Sequence, residues 1–237
     1  MQLPIQSAPE YNAELPVSKK TVRFRPFLVK EQRNMIMVTE DSSTTEMYNA
    51  LVNMLQSVLI TDIQVDELPM TDLEYLFIQV RAKSIGETQE LDMKCSKTED
   101  CDGKVKMKLD LNDIVISKTD ISEDGRIELN EELTVELEIP SSKNMMTVVD
   151  VTDESEMIRK LMLMSMKKLY DKENIFELSE YRDSEIINFI ESLTIEQFAK
   201  ISKFYESLPT VSIEMRGVCN KCKTKHTQNI QGFANFF

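Results

Sequence analysis

All four cysteines of the 237-residue chain fall in two close pairs, Cys95 with Cys101 and Cys219 with Cys222. A thiolate is a soft ligand, and four of them close a tetrahedron around zinc. Two thiolates at each of two turns supply that donor set, so the pairing predicts one structural zinc bound by Cys95, Cys101, Cys219 and Cys222. The second pair has two intervening residues, the spacing of a zinc knuckle, whereas the first is wider, with five. A site closed by four cysteines keeps no open position and therefore has no catalytic part to play. Free buried cysteines are the plain alternative, since disulfides are disfavoured in a reducing cytosol. A redox dithiol at Cys219 and Cys222 would need a strand-to-helix setting that the flanking sequence does not offer. Lys221, Lys223 and Lys225 stand ready to offset the charge of four thiolates. His226, the single histidine, follows Cys222 by four residues. It reads as a surface neighbour of the site, with replacement of Cys101 as the alternative.

The elements that must carry these pairs are legible around them. Leu91 and Met93 precede the first pair; Val105, Met107, Leu109 and Leu111 follow it at every second position; Val211, Ile213 and Met215 precede the second. A period of two means strands with one buried and one solvated face. The two flanks echo each other, which predicts the halves of a zinc-ribbon-like element, about 89–111 and 210–237, separated by a long insertion. Leu133, Val135, Leu137 and Ile139 extend the alternation, so that residues 89–140 read as antiparallel sheet.

Helices account for much of the rest. Residues 28–38 look helical after a strand that begins at Thr21 and that Pro26 either ends or places at a sheet edge. Ser43 with Glu46, Thr71 with Glu74, and Thr194 with Gln197 each fit a capping box, in which side chains at the first and fourth positions satisfy orphan backbone donors. Apolar stripes follow, among them Met47, Leu51, Met54, Leu55 and Val58. Asp153 with Glu156 opens a helical reading over 153–170, and 183–192 and 194–207 give two shorter helices. The class is α+β, an antiparallel sheet with packed helices. Residues 1–20, with Pro4, Pro9 and Pro16 and little periodicity, read as an extended arm before a single domain over 21–237.

Composition excludes several functions. With 41 Asp and Glu against 28 Lys and Arg, the net charge is -13, the wrong sign for phosphate backbones and anionic lipid surfaces. The N-terminus lacks the basic and apolar regions of a signal peptide, and no apolar run approaches a membrane span. The expectation is a protein of the cytoplasm. Five scattered glycines leave no phosphate-cradling loop, and His226 sits beside the cysteine knuckle. No nucleophile system or small-molecule substrate site emerges, so the sequence reads as a binding protein rather than an enzyme.

The segment Val22-Arg-Phe-Arg-Pro-Phe-Leu-Val-Lys-Glu31 resembles the opening signature of the T-even-type phage baseplate proteins, a family of about this length. The ending is similar too, with the knuckle, His226, Gly232 and a final Phe236-Phe237. The resemblance implies a role in the central hub of the contractile-tail baseplate, as a component or as an assembly factor. Its partners would be other hub and tail proteins, met in the host cytoplasm and, if the protein is retained, in the virion tail. It points to Arg23, Phe24, Arg25, Pro26 and Phe27, and to Phe233, Phe236 and Phe237, as partner-binding residues; core packing is the competing role for Phe24 and Phe27. A rival reading from another class is a phage zinc-ribbon regulator that contacts transcription machinery.

Overall fold

Alternation along Lys104–Asp110 buries Val105, Met107 and Leu109 and leaves Lys104, Lys106 and Lys108 in solvent, and this pattern sets the architecture of the cysteine-bearing region. The structure is a computed structural model that describes residues 7–36, 42–96, 101–119, 121–122 and 124–232. In chain order it contains β1 (Tyr11–Glu14), β2 (Thr21–Phe24), α1 (Val29–Ile36), α2 (Thr44–Val58), α3 (Met70–Ser84), β3 (Thr88–Lys94), β4 (Lys104–Asp110), β5 (Ile114–Ile116), β6 (Arg126–Glu128) and β7 (Thr134–Leu137). Then come α4 (Ser142–Met146), α5 (Glu154–Ser165), β8 (Met166–Tyr170), β9 (Ile175–Glu177), α6 (Asp183–Ser192), α7 (Ile195–Glu206), β10 (Val211–Cys219) and β11 (Lys225–Gln231). This is an α+β protein with antiparallel sheets. It divides into two compact units, one built from residues 1–65, 71–117 and 210–237, the other from 66–70 and 118–209.

In the first unit, β1 and β2 form a hairpin within and just after the first twenty residues, pairing Tyr11 with Phe24 and Glu14 with Thr21. Leu15 at its turn is fully buried, and the backbone N–H groups of Val17 and Ser18 donate to the Asp72 carboxylate at 2.8 and 2.9 Å. That pairing explains how Asp72 is accommodated with no exposure, since a buried carboxylate needs its lone pairs satisfied. Helix α2 starts as expected: Ser43 and Glu46 exchange side-chain and backbone hydrogen bonds, and Tyr48, Leu51, Met54, Leu55 and Val58 form its buried stripe. Helix α3 departs from expectation. It begins at Met70, which puts Thr71 inside the first turn rather than at the cap. The unit's sheet has the order β11-β10-β4-β3, with β5 also pairing β10.

In the second unit the sheet order is β6-β7-β8-β9. Val135 and Leu137 of β7, Met166 and Leu169 of β8, and buried residues of α5, α6 and α7 such as Met162, Ile190, Ile201 and Phe204 make one apolar cluster. Two expectations are corrected here. The helix read through 170 ends at Ser165, and the next five residues are strand β8. Met, Lys and Leu favour helices locally, but pairing with β7 on one side and β9 on the other overrides that preference. The sheet expected over 89–140 also belongs to two sheets: β3 to β5 join β10 and β11, while β6 and β7 join β8 and β9.

Candidate metal centre

Two hairpins place the cysteines. Hairpin β3–β4 carries Cys95 and Cys101 in its connection, and β10–β11 carries Cys219 and Cys222. The hairpins lie side by side because β4 pairs β10, with Val105 opposite Cys219 and Met107 opposite Gly217. Each tip closes on its own cysteine: the Cys95 N–H donates to the Gly103 carbonyl and the Cys219 N–H to the Thr224 carbonyl, both at 2.9 Å. Lys223 takes a left-handed φ of 58° and donates its N–H to the Cys219 carbonyl at 3.2 Å, which tightens the second turn. The tips are tied together by Asn220, whose N–H donates to the Lys104 carbonyl at 2.9 Å while its Oδ1 accepts from the Lys104 N–H at 3.0 Å.

Glycine makes this approach possible at two positions. A Cβ on Gly103 would stand 2.4 Å from Cys219 Sγ, and one on Gly217 would stand 2.6 Å from the Lys106 carbonyl oxygen. Neither position tolerates a side chain without movement of the neighbouring strand, so both glycines act by letting backbones close up.

The four sulfurs lie within 4.8 Å of one another, with Cys95 3.7 Å from Cys222 and Cys101 3.8 Å from Cys219. A tetrahedron with Zn–S bonds of about 2.3 Å has edges of about 3.8 Å. The donor set and spacing therefore fit a tetrahedral, thiolate-bound ion, and the cluster is able to hold a metal. Cys95 and Cys219 are buried, Cys101 is half-buried and Cys222 is exposed. The hydroxyl and backbone N–H of Thr224 pull the Cys222 thiol down to about 6, toward the thiolate form a metal requires.

The flanking charges divide. Lys221 forms an ion pair with Asp102 across the two tips, and its ammonium is held more firmly protonated by Asp102, with smaller help from Cys101 and Cys219. Lys223 Nζ donates to the Asn220 carbonyl at 2.9 Å. His226 Nε2 lies 3.3 Å from Cys95 Sγ, beside a cluster that already contains Cys101. It is thus placed to orient or hydrogen-bond a thiolate from outside the four-sulfur set.

The signature segment gathers elsewhere in the first unit. Phe24 is 1% exposed and its ring lies 6.0 Å from that of Tyr11. Arg25 donates from Nη1 to the Pro26 carbonyl at 3.0 Å, and from Nη2 to Glu31 Oε1 at 2.9 Å and the Ser57 carbonyl at 3.0 Å. Glu31 also accepts from the Leu28 N–H at 2.7 Å. Burial pushes the Glu31 carboxyl up, but the hydrogen bonds from Arg25 and Leu28 outweigh it and hold the group below its ordinary value. Phe27 is half-buried and its N–H donates to Ser84 Oγ at 2.9 Å. Arg23 is solvent-exposed and meets Glu10 at 3.5 Å. Pro26 is half-buried. Phe233, Phe236 and Phe237 lie outside the described residues. Sequence reasoning overlooked Glu31 and Asp72 as buried anchors; the position of Glu31 at the end of the signature, six residues after Arg25, was the available signal.

The model of a protein family described as T4 bacteriophage base plate protein matches residues 8–237. This chain belongs to that family. The match takes in both the signature segment and the hairpins that carry the cysteines, so the baseplate protein is covered across both of its units. Comparison with curated proteins and with solved structures returned no match. The function is that of a phage baseplate and tail-assembly structural protein, and the family is structural rather than catalytic. The match lends no support to a transcription regulator. Among the described residues no helix is long and apolar enough to cross a membrane.

Proposed function

We propose that this baseplate protein works at the central hub, binding hub and tail subunits while the tail is assembled in the host cytoplasm, and that its metal is a structural zinc. The observation that carries the reading is the family match over residues 8–237 combined with a four-cysteine cluster of tetrahedral spacing. Zinc follows from the chemistry of the donors: four thiolates close the coordination sphere, which suits a redox-inert ion that stabilises a fold. Cys95, Cys101, Cys219 and Cys222 are its ligands, and His226 supports them from outside.

Docking falls to the signature region and the aromatic tail. Arg23 and Phe27 present accessible surface beside Pro26, while Phe24 and Arg25 fix that surface from below through the core and the Glu31 ion pair. Phe233, Phe236 and Phe237 add aromatic area of the kind that dominates interfaces. Removing residues 1–20 is a poor test, because it strips β1 and the buried Leu15 from the hairpin. A sharper one replaces Phe236 and Phe237 with Ser and asks whether the variant complements a phage lacking this gene. The expected result is a folded, metal-loaded protein that no longer copurifies with hub subunits and gives few infectious particles. Normal yield would remove the tail from the docking surface, and copurification of the unaltered protein with polymerase subunits instead of tail proteins would overturn the hub reading.

A further inference from the structure

Helix α1 is attached to the first unit by a charge rather than by an apolar stripe. Of its described side chains only Glu31 is buried, while Val29 is 81% exposed and Leu28, just before it, 44%. Between α1 and α2 lies a cleft of about 370 Å³. Lys30, Arg33 and Asn34 wall it on one side and Asn53 and Ser57 on the other, with buried Met54 beneath. All of these residues belong to the first unit.

The cleft holds more positive charge than its own carboxylate can answer. Glu31 Oε1 meets Arg25 at 2.9 Å and Lys30 at 3.4 Å, and Oε2 accepts from the Leu28 N–H at 2.7 Å, so that carboxylate is fully engaged. Glu46, the one carboxylate of α2, accepts from the N–H and hydroxyl of Ser43 at 2.8 and 3.0 Å. Arg33 has no ion-pair partner among the described residues, and the side-chain amides of Asn34 and Asn53 have no hydrogen-bond partner among them. Three cations, Arg25, Lys30 and Arg33, therefore stand in and behind the cleft against one carboxylate, in a chain whose net charge is -13. A guanidinium offers only donors, and each amide adds donors and an acceptor oxygen. What is left unspent in the cleft is a set of donors with two acceptors among them.

We propose that the α1–α2 cleft takes an acidic segment of another protein, with a side-chain carboxylate on Arg33 and Lys30, backbone groups on Asn34 and Asn53, and an apolar neighbour on Val29, one turn before Arg33. An arginine pairs with a carboxylate through two parallel charge-assisted hydrogen bonds. A single exposed ion pair is worth little, so the amide and apolar contacts are what make the segment selective. The amide oxygens need N–H donors, which a peptide backbone carries and a phosphate group does not. The proposal rests on the reading of the signature region as a docking surface and gives that surface its partner's chemistry.

The test uses the full-length, metal-loaded, isotope-labelled protein and a capped tetrapeptide of two glutamates between two valines, followed through the side-chain amide signals of Asn34 and Asn53. The same peptide with glutamine in place of glutamate, and tetrathymidylate, serve as controls. Both amide signals should shift saturably with the glutamate peptide, and the glutamine peptide should bind about tenfold more weakly or worse. Arg33→Glu should abolish the shifts, and Arg33→Gln, which adds no charge, should weaken binding by about tenfold. Lys20→Glu, at an exposed cation outside the cleft, should leave it unchanged. Equal binding of the two peptides, no shift at either amide, or binding indifferent to both Arg33 changes would overturn the proposal. An equal loss in Lys20→Glu, or tighter binding of tetrathymidylate, would do the same. So would a shift of both amides, without peptide, in the double change Glu40→Gln and Asp41→Asn, because residues of this chain would then fill the cleft. Copurification with hub subunits is read separately, so the cleft and the hub assignment can each fall alone.

Discussion

The sheet of the second unit and the cysteine-bearing end of the first unit's sheet are held in different ways. Around β7 and β8, apolar side chains from three helices converge, with Val135, Met162 and Ile201 entirely buried. At the hairpin tips, Gly103 and Gly217 remove side chains where backbones meet, Lys104 and Asn220 join through polar groups, and β3 stays exposed along its whole length. Two bare tips cannot assemble an apolar core of their own. A four-cysteine cluster able to hold one ion stands where that packing is missing. Burial scales with how many side chains converge, whereas a metal needs only four well-placed atoms.

That contrast fails if the cysteines can be removed without cost. Cys219→Ser, at the most buried of the four ligands, should abolish metal binding and bring the largest loss of stability. Structural zinc in small domains is worth on the order of 10 kcal/mol of apparent folding energy, and this larger chain should forfeit a part of that. Amide exchange should accelerate at both tips, including the remote Cys95 N–H, while the Leu137 and Glu138 amides of the second unit keep their protection. Changes confined to β10 and β11 would contradict a shared site. The converse substitution is Phe204→Ala in the second unit's cluster, expected to cost about 3–5 kcal/mol by emptying packed volume while leaving the metal content unchanged.

A smaller effect sharpens the role of glycine. Gly103→Ala inserts a methyl group against Cys219 Sγ and should cost about 1–3 kcal/mol, with faster release of the metal to a chelator. The same stability as the parent protein would show that the tips have room to spare.

The smallest expected effect concerns acid. Glu31 has its carboxyl lowered in the folded state below the ordinary 4.5, so it contributes stability that is present in full above that pH and is lost as pH falls through the lowered value. Glu31→Gln should cost about 1–3 kcal/mol at neutral pH and flatten the fall in stability below pH 4.5. An unchanged acid limb would assign the Arg25–Glu31 pair no energetic part.

Much of this was legible in the sequence because the signals are local. Alternation around Val105 and Ile213 fixed the strand faces, the cysteine pairs marked the ends of those strands, and the boxes at Ser43 and Thr194 formed where expected. What was hidden depends on partners far along the chain. Nothing in Met166-Lys-Lys-Leu-Tyr170 announces a strand, since only β7 and β9 make it one. Nor does any residue between Ile116 and Arg126 state that the following strands belong to a different sheet. Asp72, between the Thr71 and Glu74 of an expected capping box, accepts from the turn at Val17 and Ser18, more than fifty positions earlier.

The most direct test of the metal-stapled ribbon is elemental analysis of the full-length protein purified without added metal, paired with amide exchange at the tips before and after chelation. One zinc per chain, and loss of protection at both Cys95 and Cys219 on its removal, is the predicted result. A protein that carries no metal yet keeps both tips protected would contradict the account.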